Sequence, residues 1–434
     1  MSFIKMGLVI GFVSLIARSL LAQPNASPQQ SATQSSETIP PGTVITMANW
    51  AQYKQFFSEG EIYLWQGNGF WKMPPDVQIQ VGPTTVDALP PPFVEATEKY
   101  SRETRIEKQT DGRWKLLNYI AGVPFPTPEE PNKGQKILVN VSYSIRPHLI
   151  AMFPDSGSLL SLCNMDRFNN VDCEHLDIDV RQLAYNWEPG VPSVEKDSGG
   201  AWFAAWARAE DPEQYRGTVS LSLQWQDNLR TEETYLYIPA MRKTMRQMDP
   251  SHCAPGNDLG WNSGVADFDA DYVNKMKLLA LTQMNSQDGN FPQNYDMPLG
   301  WAKPSWGQWE LRDVWVIDIR PIPKLASSYC YGKRVMYTDS SNYVPLVQDL
   351  YNRQMNLQKI CLLSNTAIVP AGYGKGTSAG GYLYQLWNLE NDHAVFSFTA
   401  DQQGRGWTID SAVKPQYDDI QRYQNPGGVM SLAR

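Results

Sequence analysis

The feature that most constrains this chain is a period of two. In Val219–Ser220–Leu221–Ser222–Leu223–Gln224–Trp225 the apolar side chains share one parity and the polar ones the other. A helix turning about 100° per residue would scatter both sets round its axis. A strand sends successive side chains to opposite faces, so this segment predicts a strand with one apolar and one wet face. Similar patterns predict strands over Lys136 to Ile145, His175 to Trp187, Glu233 to Ile238 and Trp309 to Ile319. Arg334 to Thr338, Tyr343 to Tyr351, Asn356 to Leu363, Tyr382 to Leu389 and Ala394 to Thr399 follow. Asn352–Arg353–Gln354 and Glu390–Asn391–Asp392 predict hairpin turns between neighbours. Helical patterns are fewer and short: Met47 to Phe57 with Asn49 as N-cap, Ala201 to Ala209, Phe268 to Leu281 and Ser411 to Tyr423. The expected fold class is mostly β (α+β), antiparallel, with a few covering helices. Ten or so strands in one sheet tend to curl or close.

The N-terminus has the marks of export. Lys5 precedes the apolar run Met6 to Ala17, and small residues follow at Ala17, Ser19 and Ala22. This predicts a signal peptide over residues 1–22. Arg18 sits inside the segment and leaves a retained membrane anchor as the alternative. The first cysteine is Cys163, so no lipid-anchoring cysteine lies near the cleavage site. Gln23 to Thr38 is rich in Gln, Ser, Ala and Pro and reads as a flexible leader. Residues 39–434 are then expected to form a single domain. Export permits disulfides. Five cysteines, Cys163, Cys173, Cys253, Cys330 and Cys361, allow at most two bridges and leave one thiol over. Cys163 and Cys173 flank a polar Asn/Asp-rich loop and are the favoured pair; five buried reduced thiols are the rival reading.

Composition bounds the function. The 434 residues are 42% hydrophobic and 19% charged, with a net charge of −8. That supplies a core and offers no electrostatic footprint for nucleic acid or anionic lipid. Gly376–Thr377–Ser378–Ala379–Gly380 matches the G-x-S-x-G of a serine hydrolase, which is one alternative function. The nucleophile elbow needs a strand, a tight turn and then a helix. Here a glycine loop leads into a strand pattern, and His393 is the only histidine downstream. The four histidines are scattered. Asp267, Asp269 and Asp271 fail as a calcium loop because Tyr272 stands where Gly is needed; they read as the acidic first turn of a helix. No metal or cofactor is expected. The remaining signal is 15 Trp, 21 Tyr and 14 Phe, a load that suits either an apolar-ligand groove or ordinary core filling. Trp225, Tyr235, Tyr237, Trp309, Trp315, Ile317 and Tyr337 are the candidate lining.

Four stretches together resemble a known family. They are Ile39 to Thr46 with Asn49, Trp50 and Tyr53; Tyr235 to Lys243 with Arg246; Asp267–Phe268 with Lys275 to Leu281; and Trp315 to Ile317 with Tyr331 to Asp339 and Asp349–Leu350–Tyr351. Their order and spacing resemble the bacterial family called domain of unknown function 1329, often described as outer-membrane lipoprotein-sorting-like. The resemblance implies the fold of the LolA/LolB lipoprotein carriers, a strongly curved antiparallel sheet forming an unclosed barrel with covering helices. It also implies a periplasmic binder or carrier of lipid-like cargo, working with an RND-type inner-membrane exporter or an outer-membrane acceptor. The family carries no agreed catalytic residues. Arg242, Lys243 and Arg246 match its Tyr-x-Pro-Ala-x-Arg-Arg pattern, with Lys243 in place of the second Arg, and would meet a headgroup or partner. Local salt bridges are the plainer role for them, and a non-catalytic envelope scaffold is a further alternative.

Overall fold

In a computed structural model the alternating segments pair into one antiparallel sheet of fifteen strands. The structure describes residues 38–85, 88–152, 159–247, 265–284, 292–304, 307–364, 384–400, 408–409, 419–423 and 429. The expected signal and leader, Cys253 and Ser378 lie outside these residues, Thr38 excepted. The chain first lays down β1 (Val44–Ile45), α1 (Glu59–Gln66) and β2 (Ile79–Gln80), and β1 pairs with β2. Next come α2 (Pro91–Tyr100), the ribbon of β3 (Arg105–Lys108) and β4 (Trp114–Leu117), and α3 (Lys133–Ser142). The sheet begins with β5 (Leu149–Met152), β6 (Leu159–Met165), β7 (Val171–Gln182) and β8 (Ala201–Asp211). It continues with β9 (Val219–Trp225), β10 (Glu233–Ile238), β11 (Lys243–Gln247) and β12 (Phe268–Met284). A small ribbon, β13 (Tyr295–Asp296) and β14 (Trp301–Ala302), intervenes. The rest is β15 (Gly307–Pro321), β16 (Tyr331–Asp339), β17 (Pro345–Asn352), β18 (Leu357–Leu363), β19 (Tyr384–Asn388), β20 (His393–Ala400) and β21 (Thr408–Ile409).

The spatial order is β11-β10-β9-β8-β7-β6-β20-β19-β18-β17-β16-β15-β12. Two meanders meet where β20 pairs with β6, and β5 carries on along β7 where β6 stops, with β21 beside it. The outer strands β11 and β12 do not pair with each other among the described residues, so the sheet is not closed into a barrel.

Each face carries a covering layer over part of the sheet. Register and alternation place Val347, Ile360, Trp387, Phe396 and Cys163 on what we term the first face. Here α1 packs on β17 and β18, and a core forms with Trp65, Trp71 and Leu362. The Trp301 ring stacks between Trp309 and Trp387, with centroids 5.5 and 5.7 Å away. On the second face α3 packs on β12 and β15, joining Ile137, Val139 and Val141 to Ala270, Ile317 and Ile319.

Several expectations change here for physical reasons. Lys136 to Ile145 is not a strand but falls largely within α3. Its branched residues are drawn into the helix by packing, which overrides local propensity. The Gln135 side chain completes the pairing of the outer strand: Nε2 donates to the Val265 carbonyl (3.1 Å) and Oε1 accepts the Ala270 N–H (3.0 Å). Phe268 to Leu281 is strand β12, not a helix. An irregularity between Tyr272 and Asn274 moves the even-numbered residues from the second face to the first, which blurs the period of two. Asp269 therefore lies in a strand, where Oδ1 accepts from Lys108 Nζ (2.6 Å) and Trp114 Nε1 (2.8 Å). Ala201 to Ala209 is strand β8; its alanines fit it between β7 and β9. Met47 to Phe57 holds a 3-10 helix, Trp50–Phe56, and Asn49 makes no side-chain cap there. Of Ser411 to Tyr423, only Ile420–Tyr423 is described as helical, again 3-10. Two helices, α1 and α2, lie outside the helical patterns of the sequence.

Cys163 and Cys173 form a disulfide between β6 and β7. Cys330 is also disulfide-bonded, and Cys361 is a buried thiol. The reading of five reduced thiols is thereby set aside.

Gly134 gives a direct check on how α3 seats. A Cβ added there would lie 2.4 Å from both the Ala270 carbonyl oxygen and the Tyr272 nitrogen. Gly134→Ala is expected to destabilise the protein by about 1–3 kcal/mol, the usual cost of overpacking, read from urea unfolding curves.

Candidate functional site

Strand β7, between β6 and β8, carries its polarity inside out. On the first face Asp177 and Asp179 are fully buried and Arg181 nearly so. Arg208 Nη2 lies 3.3 Å from Asp177, and its Nε 2.5 Å from Glu210; Arg181 pairs with Glu195 at 3.1 Å. Ser161 Oγ and His175 Nδ1 are 2.7 Å apart on the same face. Beside these charges Ala204, Trp206, Leu221 and Leu223 form a packed cluster closed by Tyr423. The second face of the same strands carries Leu160, Leu162, Leu176, Ile178, Ala205 and Ala207, all only half-buried. A sheet that served only its own core would place these aliphatics inward and the carboxylates outward, because burying charge costs several kcal/mol unless it is paired.

The aliphatic strip runs up against Ile150, Val180 and Phe203, and Phe203 packs in turn against the α2–α3 core. Next to Phe203 lies a ring-lined cavity. Phe93 from α2 meets Trp187 edge-on at 5.5 Å, and Tyr119, Tyr143 and Tyr185 lie within 4.8–5.8 Å of one another. Tyr143 also packs on Trp202 at 4.9 Å. The Arg146 guanidinium lies 5.4 Å from the Trp202 ring and 5.0 Å from the Phe203 ring. Tyr185 sits at φ 65°, a left-handed conformation that a bulky residue adopts only where its surroundings enforce it. Its hydroxyl donates to the Gln226 carbonyl (3.2 Å), and that of Tyr119 to Gly122 (2.8 Å). Burial raises all three phenols, Tyr185 to about 12, so they stay neutral donors. The free volume is about 10 Å³, room for one water at most. A second cavity, under α1 and lined by Glu61, Leu281, Trp309, Val347 and Leu362, has no room for a water.

The candidate lining residues do not meet in one hollow. Trp225, Tyr235 and Tyr237 belong to the cluster around Trp206 on the first face. Arg230 covers the Trp225 ring at 3.1 Å, and the Tyr235 hydroxyl donates to Glu233 (2.6 Å). Trp309 and Tyr337 lie in the α1-side core, while Ile317 is buried and Trp315 half-buried on the α3 side. The sheet has two buried faces, and aromatic residues are used on both. Of the three cations, Arg246 is held by Glu233 at 3.0 Å; Arg242, at φ 47°, and Lys243 are exposed at the β10–β11 turn. The aliphatic strip escaped sequence reading, although its signal is present: Leu176, Ile178 and Val180 alternate with Asp177, Asp179 and Arg181.

A family model described as "Protein of unknown function (DUF1329)" matches residues 44–424. Among solved structures, the chain is similar to a putative outer membrane lipoprotein-sorting protein domain from Vibrio parahaemolyticus. The two share 13% identity over 68% of this chain and 99% of that one, at a TM-score of 0.43. A DUF1329 family protein from Desulfovibrio piger gives 13% identity, 68% and 100% coverage, and a TM-score of 0.43. A LolA superfamily protein from Nitrosomonas europaea gives 11%, 65% and 96%, with a TM-score of 0.35. No curated protein matches the chain. Among the described residues no helix is long and apolar enough to cross a membrane.

The inverted polarity predicts unequal responses on the two faces of β7. Arg181→Ala strips a buried cation from Glu195 and should cost about 3–5 kcal/mol. Leu176→Gln, on the half-buried side, should cost about 1 kcal/mol or less. Chemical denaturation of both variants tests the contrast.

Proposed function

The chain belongs to the DUF1329 family, and we propose that it is a periplasmic binder or carrier of lipid-like cargo that bears acyl chains. The observation that carries this reading is the half-buried aliphatic strip of Leu160, Leu162, Leu176 and Ile178, backed by fully buried charges. An acyl chain laid on the strip gains about 0.8 kcal/mol per methylene withdrawn from water. Ten methylenes would then offer ~8 kcal/mol before the cost of ordering the guest and moving the protein. The ring cavity at the end of the strip is closed as it stands, so a chain reaching it must displace Tyr119, Tyr143 or Tyr185. The tyrosine hydroxyls and Arg146 would face a polar end of the cargo there.

In this reading Arg242 and Lys243 are exposed cations for a headgroup or a partner's acidic patch, since Arg246 is already held by Glu233. The partner would be an RND-type inner-membrane exporter or an outer-membrane acceptor. The role needs no cofactor and no covalent step.

Protein purified without detergent should carry hydrophobic molecules visible by native mass spectrometry, or take up a fluorescent fatty acid. Ile178→Glu places a charge in the strip and should weaken that uptake by at least about tenfold, the equivalent of 1.4 kcal/mol. Absence of both bound lipid and uptake in the parent protein would sink the proposal.

A further inference from the structure

The start of α1 is held to the sheet by carboxyl groups. Ser58 caps the helix: its Oγ accepts the Glu61 N–H (3.1 Å), and Glu61 Oε2 accepts the Ser58 N–H (2.9 Å), a complete capping box. Asp349 on β17 reaches in from the sheet. Its Oδ2 accepts the Gly60 N–H (3.0 Å), and its Oδ1 accepts the Ser58 hydroxyl (3.3 Å). Residue 60 must be glycine for this, because a Cβ would fall on the Asp349 carboxylate and within 2.9 Å of Ile360 on β18. The Tyr351 hydroxyl donates to Glu59 Oε2 (2.6 Å).

Three carboxyl groups therefore crowd one helix end, and two of them, Glu61 and Asp349, are fully buried. The other titratable groups facing the clasp are few. From β16 come Lys333, whose Nζ lies 4.0 Å from the Tyr351 ring centroid, and the phenol of Tyr337; from β17 comes the phenol of Tyr351. Lys333 is the one cation that acts on Asp349 among the described residues. Glu61 Oε1 is buried with no hydrogen-bond partner among the described residues, and Glu61 lines the closed apolar cavity beneath α1. A buried carboxylate oxygen without a donor is costly, whereas a protonated one is tolerable.

We propose that the Asp349–Glu61 clasp is a pH-operated latch on α1, holding the helix to β17 and β18 while it retains a proton and loosening it when both groups ionise. Asp349, which accepts two hydrogen bonds, is the first to ionise. Glu61 keeps its proton longer because one oxygen has no donor. Burial is the main cause for both, raising Asp349 to about 7 and Glu61 to about 8. The sign follows from proton linkage. Folded carboxyls that hold protons above their ordinary range add stability at low pH, and that stability is lost as pH rises through about 7 and 8. Release would uncover the apolar surface of Leu281, Val347 and Leu362 under the helix. The latch concerns α1 itself and stands whether or not lipid is the cargo.

The test is amide hydrogen exchange on the full chain without ligand, at pH 5.5 and 8.5, each rate corrected for intrinsic exchange. Peptides over residues 58–66 should lose at least about tenfold more protection between the two pH values than peptides over α3, the weight of one shifted pKa unit. Glu61→Gln, which keeps the bond to the Ser58 N–H, should reduce that loss to the part Asp349 contributes. Asp349→Asn should reduce it to the part Glu61 contributes and serves if Glu61→Gln does not fold. Parallel behaviour of α1 and α3 in the parent protein overturns the latch, as does an undiminished loss in a folded variant.

Discussion

The structure depends on burying both faces of one antiparallel ladder. From Pro345 to Tyr351 every residue of β17 is buried, and so are Leu278 to Leu281 on β12. A strand hidden on both sides cannot be polar on alternate positions unless those positions find partners. On β17 the partners come from α1, which turns its own amide N–H groups toward Asp349. On β15 and β16 they are side chains: Arg312 Nε donates to Asp339 Oδ2 (2.7 Å), with Glu310 3.5 Å away. The N-terminal layer and the α2–α3 layer are thus obligatory. Without them the sheet would expose the apolar surface of two cores, and its outer strand β12 would lose the Gln135 bonds.

Against that rule, β6, β7 and β8 are the exception. Their first face buries the carboxyl groups of Asp177 and Asp179 with Arg181, and their second face leaves aliphatics only half-buried. Buried ion pairs are weak sources of stability, since desolvation consumes most of the attraction. They are better understood as fixing which face of β7 points inward. A register slip of one residue would put Asp177 and Asp179 on the half-exposed side and Leu176 and Ile178 among the pairs. The disulfide Cys163–Cys173 and the Ser161–His175 contact lie on the same face of the same hairpin and oppose such a slip. The arrangement pins an apolar strip at the surface.

How far the sequence reveals this varies by element. The strand at Glu233–Ile238 is legible to the residue because Pro239 ends it with clear turn chemistry. The hairpins at Asn352 and Glu390 are legible because Asn side chains tie their own turns: Asn352 Oδ1 accepts from Gln354 and Asn356, and Asn388 Oδ1 from Glu390. What was lost is where tertiary contact outranks pattern. In β12 an irregularity shifts the apolar set between faces; in β8 alanine supplies thinness, not helicity; in α3 branched residues are held helical by the strand they cover. The strip on β7 was hidden for the opposite reason. Alternation of Leu176, Ile178 and Val180 with Asp177, Asp179 and Arg181 announces a strand, and ordinary habit assigns the charges to water.

Two closed cavities are not by themselves an argument against the proposed carrier role. The ring-lined cavity and the cavity under α1 are each too small for an acyl chain, and tyrosine and tryptophan rings line them. Guest binding then becomes an exchange of self-contacts for foreign ones. The apparent affinity is lowered by the fraction of molecules that are open, so each tenfold closure takes about 1.4 kcal/mol from what the chain would gain. In the proposed role that penalty would have a use, because cargo held against a closing force is easier to surrender to an acceptor. On the proposed reading the half-buried strip of β6–β8 would offer a first foothold that needs no opening, and the ring cavity next to it would be the part that moves. Uptake would begin where aliphatics are already wet and deepen only as the tyrosine cluster yields.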